Sequence, residues 1–244
     1  MRVDVALTAQ SVTPSQTAGA SVLVVDVLRA STTIIAALSS GCAGIIPVAD
    51  EAEARRRAGA LPAGAALLAG ERRGEPIPGF DLGNSPLEFT ADRVRGKLVV
   101  FTTSNGTRAL LAARPAAAVG VAGLVNLSAA AAWVLSGRRD VTVVCAGERG
   151  AESLEDLVCA GLLVERLMRN EPGAALTAAA DTARSAGWEY GNDVGRLAQT
   201  APWARRLSGR GRAADVAACL ALDTTTLVPI YRADVDKVVA RAQG

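Results

Sequence analysis

The sequence predicts an α/β fold: three layers, a largely parallel or mixed sheet with helices on both faces, and a helical C-terminal third. Three observations predict it. Short β-branched runs alternate with Ala- and Leu-rich runs along the chain, the pattern of strands followed by helices. The strand runs Val22-Leu23-Val24-Val25 and Leu98-Val99-Val100-Phe101 carry no charge, which suits a sheet covered on both faces. Half of the 244 residues are hydrophobic while aromatics make up only 3%, so the core must be built from Ala, Val and Leu. That length suits one large domain or two small ones. The expectation is a single domain over residues 1–244, with two pseudo-similar halves divided near residue 96 or 138 as the alternative.

The elements follow in order. Val3–Leu7 and Ser21–Val27 are predicted strands, and Thr32–Leu38 a helix that ends near Gly41. Ile45–Val48 is a strand, and Asp50–Ala58 a short helix opened by the capping pattern Asp50-x-x-Glu53. Ala66–Leu68 is a further strand. Gly70–Arg95, rich in Gly, Pro, Asn and charge, is expected to be one long loop, and long loops in compact domains are usually functional. The alternation resumes with strand Leu98–Phe101, helix Gly106–Ala113, strand Ala117–Val121, helix Ser128–Leu135, strand Val141–Cys145 and a long helix Ser153–Met168. The remainder is mostly helical, with a late strand at Leu227–Tyr231. Residues 115–137 carry no charge, but Gly120, Gly123, Asn126 and Ser128 interrupt them, so they are assigned to strand, turn and buried helix rather than to a membrane span. Asp4 falls inside what would be the apolar core of a secretion signal, so none is expected and the expected location is cytoplasmic.

Composition excludes several function classes. With 26 Lys and Arg against 24 Asp and Glu, a net charge of +2 gives no footprint for wrapping DNA and no polybasic tail. Histidine is absent, which removes His-nucleophile phosphatases, Ser-His-Asp and Cys-His hydrolases and His-ligated zinc. Acid–base work must then use carboxylates, Arg, Cys, Tyr, Lys or a metal-bound water. Cys42, Cys145, Cys159 and Cys219 sit in apolar runs without a C-x-x-C pair, as expected of reduced structural thiols. None starts a C-x(5)-R phosphatase loop: the sixth residue onward is Val48, Ala151, Glu165 or Thr225.

One unit recurs three times: an apolar strand, a small polar or charged loop, then a helix. Because the carboxyl ends of strands in an open α/β sheet share one edge, the three loops are expected to converge. The first, Asp26-Val27-Leu28-Arg29-Ala30-Ser31-Thr32-Thr33, offers N–H groups and hydroxyls of Ser31, Thr32 and Thr33 at a helix start and Arg29 as a bidentate clamp for an anion, in preference to the alternative of an N-cap with a surface ion pair. The second, Thr102-Thr103-Ser104-Asn105-Gly106-Thr107-Arg108, could cradle phosphate oxygens through Thr103, Ser104, Asn105, Gly106 and Thr107, or be a capped turn. It is not a Walker loop, since no G-x-x-x-x-G-K-[ST] occurs. The third runs from Glu148 to Asp156. Ser153-x-x-Asp156 fits a capping box, yet the other carboxylates exceed what a cap needs, and with Asp26 they could hold Mg²⁺. A fourth constellation, Glu71-Arg72 followed by Asp81, Asn84 and Ser85, could grip an anion, complete a metal site, or be ordinary turn chemistry. Gly209-x-Gly211-x-x-Ala214 is dismissed as a dinucleotide fingerprint because no strand precedes it, and Asp215 and Asp223, flanking Cys219, are assigned to the core edge.

The motifs VDVLRASTTI, GERRG, GFDLGNSP, TTSNGT, the AG…G…SLED…CAG stretch and DVAACLALD…VP resemble, in this order, the 2-phosphosulfolactate phosphatase family. The resemblance covers about residues 22 to 230. It implies an α/β fold of the family's own, dependence on Mg²⁺, and hydrolysis of 2-phosphosulfolactate to sulfolactate and phosphate, a step of coenzyme M biosynthesis in methanogens. Two departures are visible: Ser104 stands where a third Thr is expected, and Glu152 where an aromatic or apolar residue is expected beside the metal.

The sequence thus leads to a Mg²⁺-dependent phosphomonoesterase for a small, multiply anionic acid. Asp26, Arg29 and Asp156 are the expected catalytic residues. The metal ligands are expected among Asp26, Glu71, Glu155 and Asp156. Ser31–Thr33 and Thr103–Thr107 would hold the phosphoryl group, and Arg72, Asp81, Asn84 and Ser85 the rest of the substrate. An aspartyl-phosphate on Asp26 is the rival mechanism, against which the sequence lacks the D-x-D pattern. A phosphatase for another phosphorylated hydroxy acid and a non-catalytic anion-binding module are the rival functions. No nucleic acid or membrane partner is expected, and a homodimer is left open.

Overall fold

The computed structural model describes residues 1–240. Strand β1 (Arg2–Ala6) is followed by the one-turn helix α1 (Pro14–Thr17), β2 (Ser21–Val25) and α2 (Ala30–Ser39). Next come β3 (Gly44–Pro47), α3 (Glu51–Gly59), the hairpin β4 (Ala66–Arg72) and β5 (Glu75–Pro76), and the short α4 (Ala91–Val94). Strand β6 (Leu98–Thr102) leads into α5 (Gly106–Ala113), β7 (Ala118–Ala122) into α6 (Leu127–Ser136), and β8 (Val141–Cys145) into the long α7 (Leu154–Asn170). The last third holds β9 (Ala175–Leu176), α8 (Ala178–Tyr190), α9 (Leu197–Thr200), α10 (Pro202–Leu207), α11 (Ala213–Leu220) and the hairpin of β10 (Pro229–Arg232) and β11 (Lys237–Ala240). The fold is α/β, with a mixed sheet.

Local chemistry explains most boundaries. The Asp50 carboxylate accepts the Glu53 N–H at 2.8 Å and caps α3. The uncharged 115–137 stretch is strand β7 and helix α6, and no helix among the described residues is long and apolar enough to cross a membrane. The expected long loop over 70–95 is corrected: β4 runs to Arg72 because Ala66–Gly70 pair with Leu98–Thr102 of β6, and Glu71 and Arg72 pair with Pro76 and Glu75 of β5, where the chain turns back. Strands β9 and β11 have no counterpart among the predicted elements.

The sheet order is β5-β4-β6-β3-β11-β10-β7-β2-β8-β1-β9. It contains two parallel blocks, β4-β6-β3 and β7-β2-β8-β1-β9, joined by the antiparallel β10–β11 hairpin. Three antiparallel pairings separate the blocks, so their strands run in opposite senses along the sheet. The expectation that all strand carboxyl ends share one edge is therefore corrected. The ends of β2 and β6 meet for another reason: twist accumulates from strand to strand, and the sheet wraps around α2 and α5. Helix α2 packs on β7, β10, β11 and β3, and α5 on β2, β8 and β3.

Each central strand feeds two cores, as a period of two demands. Val22 and Val24 join Ile34, Leu38, Phe101 and Leu110 on the concave side. Leu23 and Val25 join Val143, Leu127, Val134, Leu163 and Leu167 beneath α6 and α7. Fully burying one such Leu or Val contributes roughly 1.5–3 kcal/mol. Behind the other block, Ile46 and Val100 pack on Ala54 of α3. Helices α7 and α8 cross so closely that a Cβ on Gly161 would sit 1.8 Å from the Ala183 carbonyl oxygen.

Candidate active site

Four strand-to-helix junctions and the β4–β5 hairpin surround a cleft of about 650 Å³. The β2–α2 junction supplies Asp26 and Arg29, the β6–α5 junction Thr103, Ser104, Asn105 and Arg108, and the hairpin Glu71, Arg72, Arg73 and Gly74. Asp50 comes from the start of α3, Glu148 and Arg149 from the β8–α7 loop, Asn84 from the segment after β5, and Trp203 from α10.

Asp26 sits where β2 gives way to α2. Its backbone N–H donates to Ser31 Oγ at 2.9 Å, and its Oδ1 accepts the Ala30 N–H at 3.1 Å. Its Oδ2 accepts no hydrogen bond among the described residues and faces the β6–α5 loop, where a Cβ on Gly106 would lie 2.6 Å from Asp26 Oδ2 and 2.6 Å from Ala30 Cβ. Only a residue without a side chain lets the two helix starts touch. Burial pushes the Asp26 carboxyl up to about 7, aided by the like charges of Glu71 and Glu155 and opposed by the Ala30 N–H and Arg29.

Glu71 joins the hairpin to the second loop. Its Oε1 accepts the Ser104 N–H at 2.7 Å, and its Oε2 accepts the Gly74 N–H at 2.6 Å and the Ser104 hydroxyl at 3.2 Å. The buried Arg29 donates from Nη1 to Asp215 Oδ2 at 2.6 Å and from Nη2 to the Gly74 carbonyl at 2.9 Å. The Leu28–Arg29 peptide is cis, and the Leu28 carbonyl accepts the Trp203 indole N–H at 3.1 Å. Arg72 donates to the Glu71 carbonyl and to Thr102 Oγ1. Asn84 is 5% exposed, and its Oδ1 has no partner among the described residues. Arg73, Arg108 and Arg149 are exposed, and the side chains of these three make no hydrogen bond or ion pair among the described residues. With Arg29 and Arg72 they give the cleft five guanidinium groups against the four carboxylates of Asp26, Asp50, Glu71 and Glu148.

Several expected site residues stand elsewhere. The Ser31, Thr32 and Thr33 hydroxyls are consumed by the Val24, Val27 and Asn84 carbonyls, away from the cleft wall. Thr107 Oγ1 is tied to the Thr103 backbone, and Gly106 serves contact between loops rather than the cleft surface. The Glu155 carboxylate is fully buried against the Ser153 hydroxyl and the Ala204 N–H, so it cannot reach a cation in the cleft. Asp156 lies behind the wall. Its Oδ1 accepts the Val27 N–H at 2.8 Å and its Oδ2 the Gly147 N–H at 3.1 Å. It braces two site loops, and burial together with Asp26 raises its carboxyl well above the usual range. Ser153 accepts the Asp156 N–H, but Asp156 does not return the bond, so the expected capping box is only half made. Asp81 accepts the Leu68 N–H at 2.8 Å and braces β4 outside the cleft. Ser85 donates to Asp215 Oδ1 at 2.6 Å, one layer behind Arg29.

Asp26 and Glu71 are the expected ligands that remain on the wall. Among the described residues no group of three or more His, Cys, Asp or Glu is gathered for a metal. The two carboxylates suit Mg²⁺, which commonly takes one or two carboxylates and fills its other positions with water and substrate phosphate oxygens. The unpartnered Oδ2 of a buried carboxylate is the atom that fits such an ion best.

A family model described as 2-phosphosulpholactate phosphatase matches residues 6–234. The chain belongs to the 2-phosphosulpholactate phosphatase family. A protein of Clostridium acetobutylicum, named probable 2-phosphosulfolactate phosphatase, is 32% identical over 95% of this chain and 97% of its own length. Proteins of the same name from Thermotoga petrophila and Gloeobacter violaceus are 39% and 41% identical over 85% and 84% of this chain, covering 87% and 85% of theirs. The family is one of phosphoric monoester hydrolases.

For this family member the sequence reading missed four kinds of residue. Asp50 was visible only as a helix cap, and Trp203 lies on a short helix that no motif marks. Asp215 is 186 positions from Arg29, so no local pattern could pair them. Arg73, Arg108, Glu148 and Arg149 fall inside the motifs, but charged loop residues do not announce which way they point.

Proposed function

We propose that this protein is a Mg²⁺-dependent phosphomonoesterase that hydrolyses 2-phosphosulfolactate to sulfolactate and phosphate. The observation that carries this reading is the meeting of the Asp26–Arg29 and Thr103–Asn105 loops in one arginine-rimmed cleft, with the β4–β5 hairpin joined to the first through the Arg29–Gly74 bond and to the second through the Glu71–Ser104 bond. Asp26, helped by Glu71, would hold the cation, which when bound would neutralise phosphate charge and lower the pKa of a bound water. The Arg29 guanidinium donates to the phosphoryl oxygens, where charge stabilisation is most of what such a transfer needs. Asn105 and the Thr103 hydroxyl line the same wall and offer further donors. Arg72, Arg73, Arg108 and Arg149 supply the positive field that suits a substrate carrying anionic groups besides its phosphate.

The test is release of inorganic phosphate from a panel of phosphorylated hydroxy acids that includes 2-phosphosulfolactate, with Mg²⁺ and with EDTA. The expected result is turnover of 2-phosphosulfolactate ahead of the members that carry only one anionic group besides the phosphate, lost in EDTA. No release from any member contradicts the reading, and preference for another acid shifts the substrate while keeping the reaction.

A further inference from the structure

We propose that Asp215 is a positioning residue for phosphate recognition, acting through Arg29; this rests on the reading of the cleft as a phosphoryl site. Arg29 reaches the cleft from the start of α2, and its guanidinium is fixed from behind. Asp215 of α11 holds Nη1 at 2.6 Å, and the Gly74 carbonyl holds Nη2 at 2.9 Å. Two of the five N–H groups of the guanidinium are thereby used, which leaves three for an anion. The anchor is itself anchored, since the Ser85 hydroxyl donates to the other Asp215 oxygen at 2.6 Å. Arg29 is 3% and Asp215 4% exposed, so neither side chain can turn out to water when the other is lost. The relay draws on three distant segments, and nothing in it serves α11 alone: the helix already packs through Val216, Cys219 and Leu220. An arginine held at two of its nitrogens presents a fixed fork, which is what bidentate phosphate recognition requires.

Charge and position predict opposite signs. Removing a negative charge next to Arg29 should tighten binding of an anion if field alone mattered. If Asp215 aims the fork, its loss should weaken binding despite the gain in positive charge. Calorimetric titration with inorganic phosphate of the full-length protein, with melting temperature as the folding check, decides between them. Asp215→Asn is expected to raise the phosphate Kd at least tenfold and to lower kcat more than it raises KM. Ser85→Ala, which keeps both charges, is expected to raise Kd several-fold, and it carries the test if Asp215→Asn does not fold. In an Arg29→Lys background the further effect of Asp215→Asn should shrink below threefold, because the two residues act as one unit. Unchanged or tighter phosphate binding in the folded variants, or full additivity with Arg29→Lys, overturns the proposal. If the wild type binds phosphate with this variant pattern but turns over no phosphoester, the catalytic reading fails and the positioning role stands. A wild type that binds no phosphate overturns both.

Discussion

At the scale of single residues, the two oxygens of Asp26 have different tasks. Oδ1 closes the start of α2 through the Ala30 N–H, and Oδ2 is left for the cleft. Asparagine can keep the first task and cannot perform the second. Asp26→Asn is therefore expected to melt near the wild-type temperature while keeping less than about a tenth of kcat, a loss of more than about 1.4 kcal/mol of transition-state stabilisation. A folded variant above that level contradicts the role given to Asp26. Cys145 ends β8 close to the site, but it is buried in the core, and burial, with Asp156, raises its thiol well above the usual range. Cys145→Ser should keep catalysis and lose about 1–3 kcal/mol of stability from a hydroxyl without a partner. Complete inactivation of the folded variant would point to thiol chemistry. What the sequence showed at this scale was the run of polar and charged residues in the loops: Asp26, Arg29, Glu71, Arg72, Asn84 and Thr103–Asn105 stand on the cleft wall. It could not show which polar groups would be drawn off the wall by partners of their own, as Ser31–Thr33, Thr107, Asp81, Glu155 and Asp156 are, while Glu71 keeps its place on the wall although it too accepts backbone N–H groups.

At the scale of elements, two close approaches set the geometry. The α2 and α5 starts touch through Gly106. Gly106→Ala places a methyl group against Asp26 Oδ2 and Ala30 Cβ, and such overpacking costs about 1–3 kcal/mol. Because the strain falls on the site, kcat should drop more than tenfold in a protein that still folds; wild-type kcat would show that the loops can part without harm. Helices α7 and α8 are locked at Gly161 and also by Glu165, whose carboxylate accepts from Arg184 Nε at 2.8 Å, Trp188 Nε1 at 3.0 Å and Arg169 Nε at 3.1 Å. Burial works to raise this carboxyl, yet its three donors outweigh burial and leave it below the usual range. A lowered folded-state pKa stabilises above the unfolded value and is lost as pH falls through the folded one. Glu165→Gln should thus lower the melting temperature at neutral pH, by an amount worth under about 1 kcal/mol for so peripheral a cluster. The gap from wild type should narrow as pH falls below about 5, and a gap that widens in acid contradicts the assignment. Most elements were legible from periodicity and caps, Gly106–Ala113 and Val141–Cys145 to the residue. The end of β4 and all of β5 were hidden because the Gly- and Pro-rich residues after Leu68 look like loop until Glu71 and Arg72 pair with Pro76 and Glu75.

At the scale of the whole molecule, the C-terminal hairpin decides the topology. Strands β10 and β11 enter the middle of the sheet, between β7 and β3, and reverse the sense of one parallel block against the other. No local feature of Leu227–Tyr231 could reveal that insertion, and Lys237–Ala240 is too short a run to stand out. The α/β class was legible because strands such as Ser21–Val25 are buried on both faces. The convergence of the loops was legible as well, though its cause is the wrap of the sheet around α2 and α5 rather than a shared edge. The central claim is that these loops form one phosphoryl site. A crystal structure of the protein grown with Mg²⁺ and tungstate, a phosphate-shaped oxyanion, tests it most directly. The account predicts the oxyanion within hydrogen-bond distance of Arg29 and the Thr103–Asn105 loop, with the cation on Asp26. Tungstate bound instead at the distant surface around Arg138 and Arg139, with the cleft between Asp26 and Ser104 empty, would contradict it.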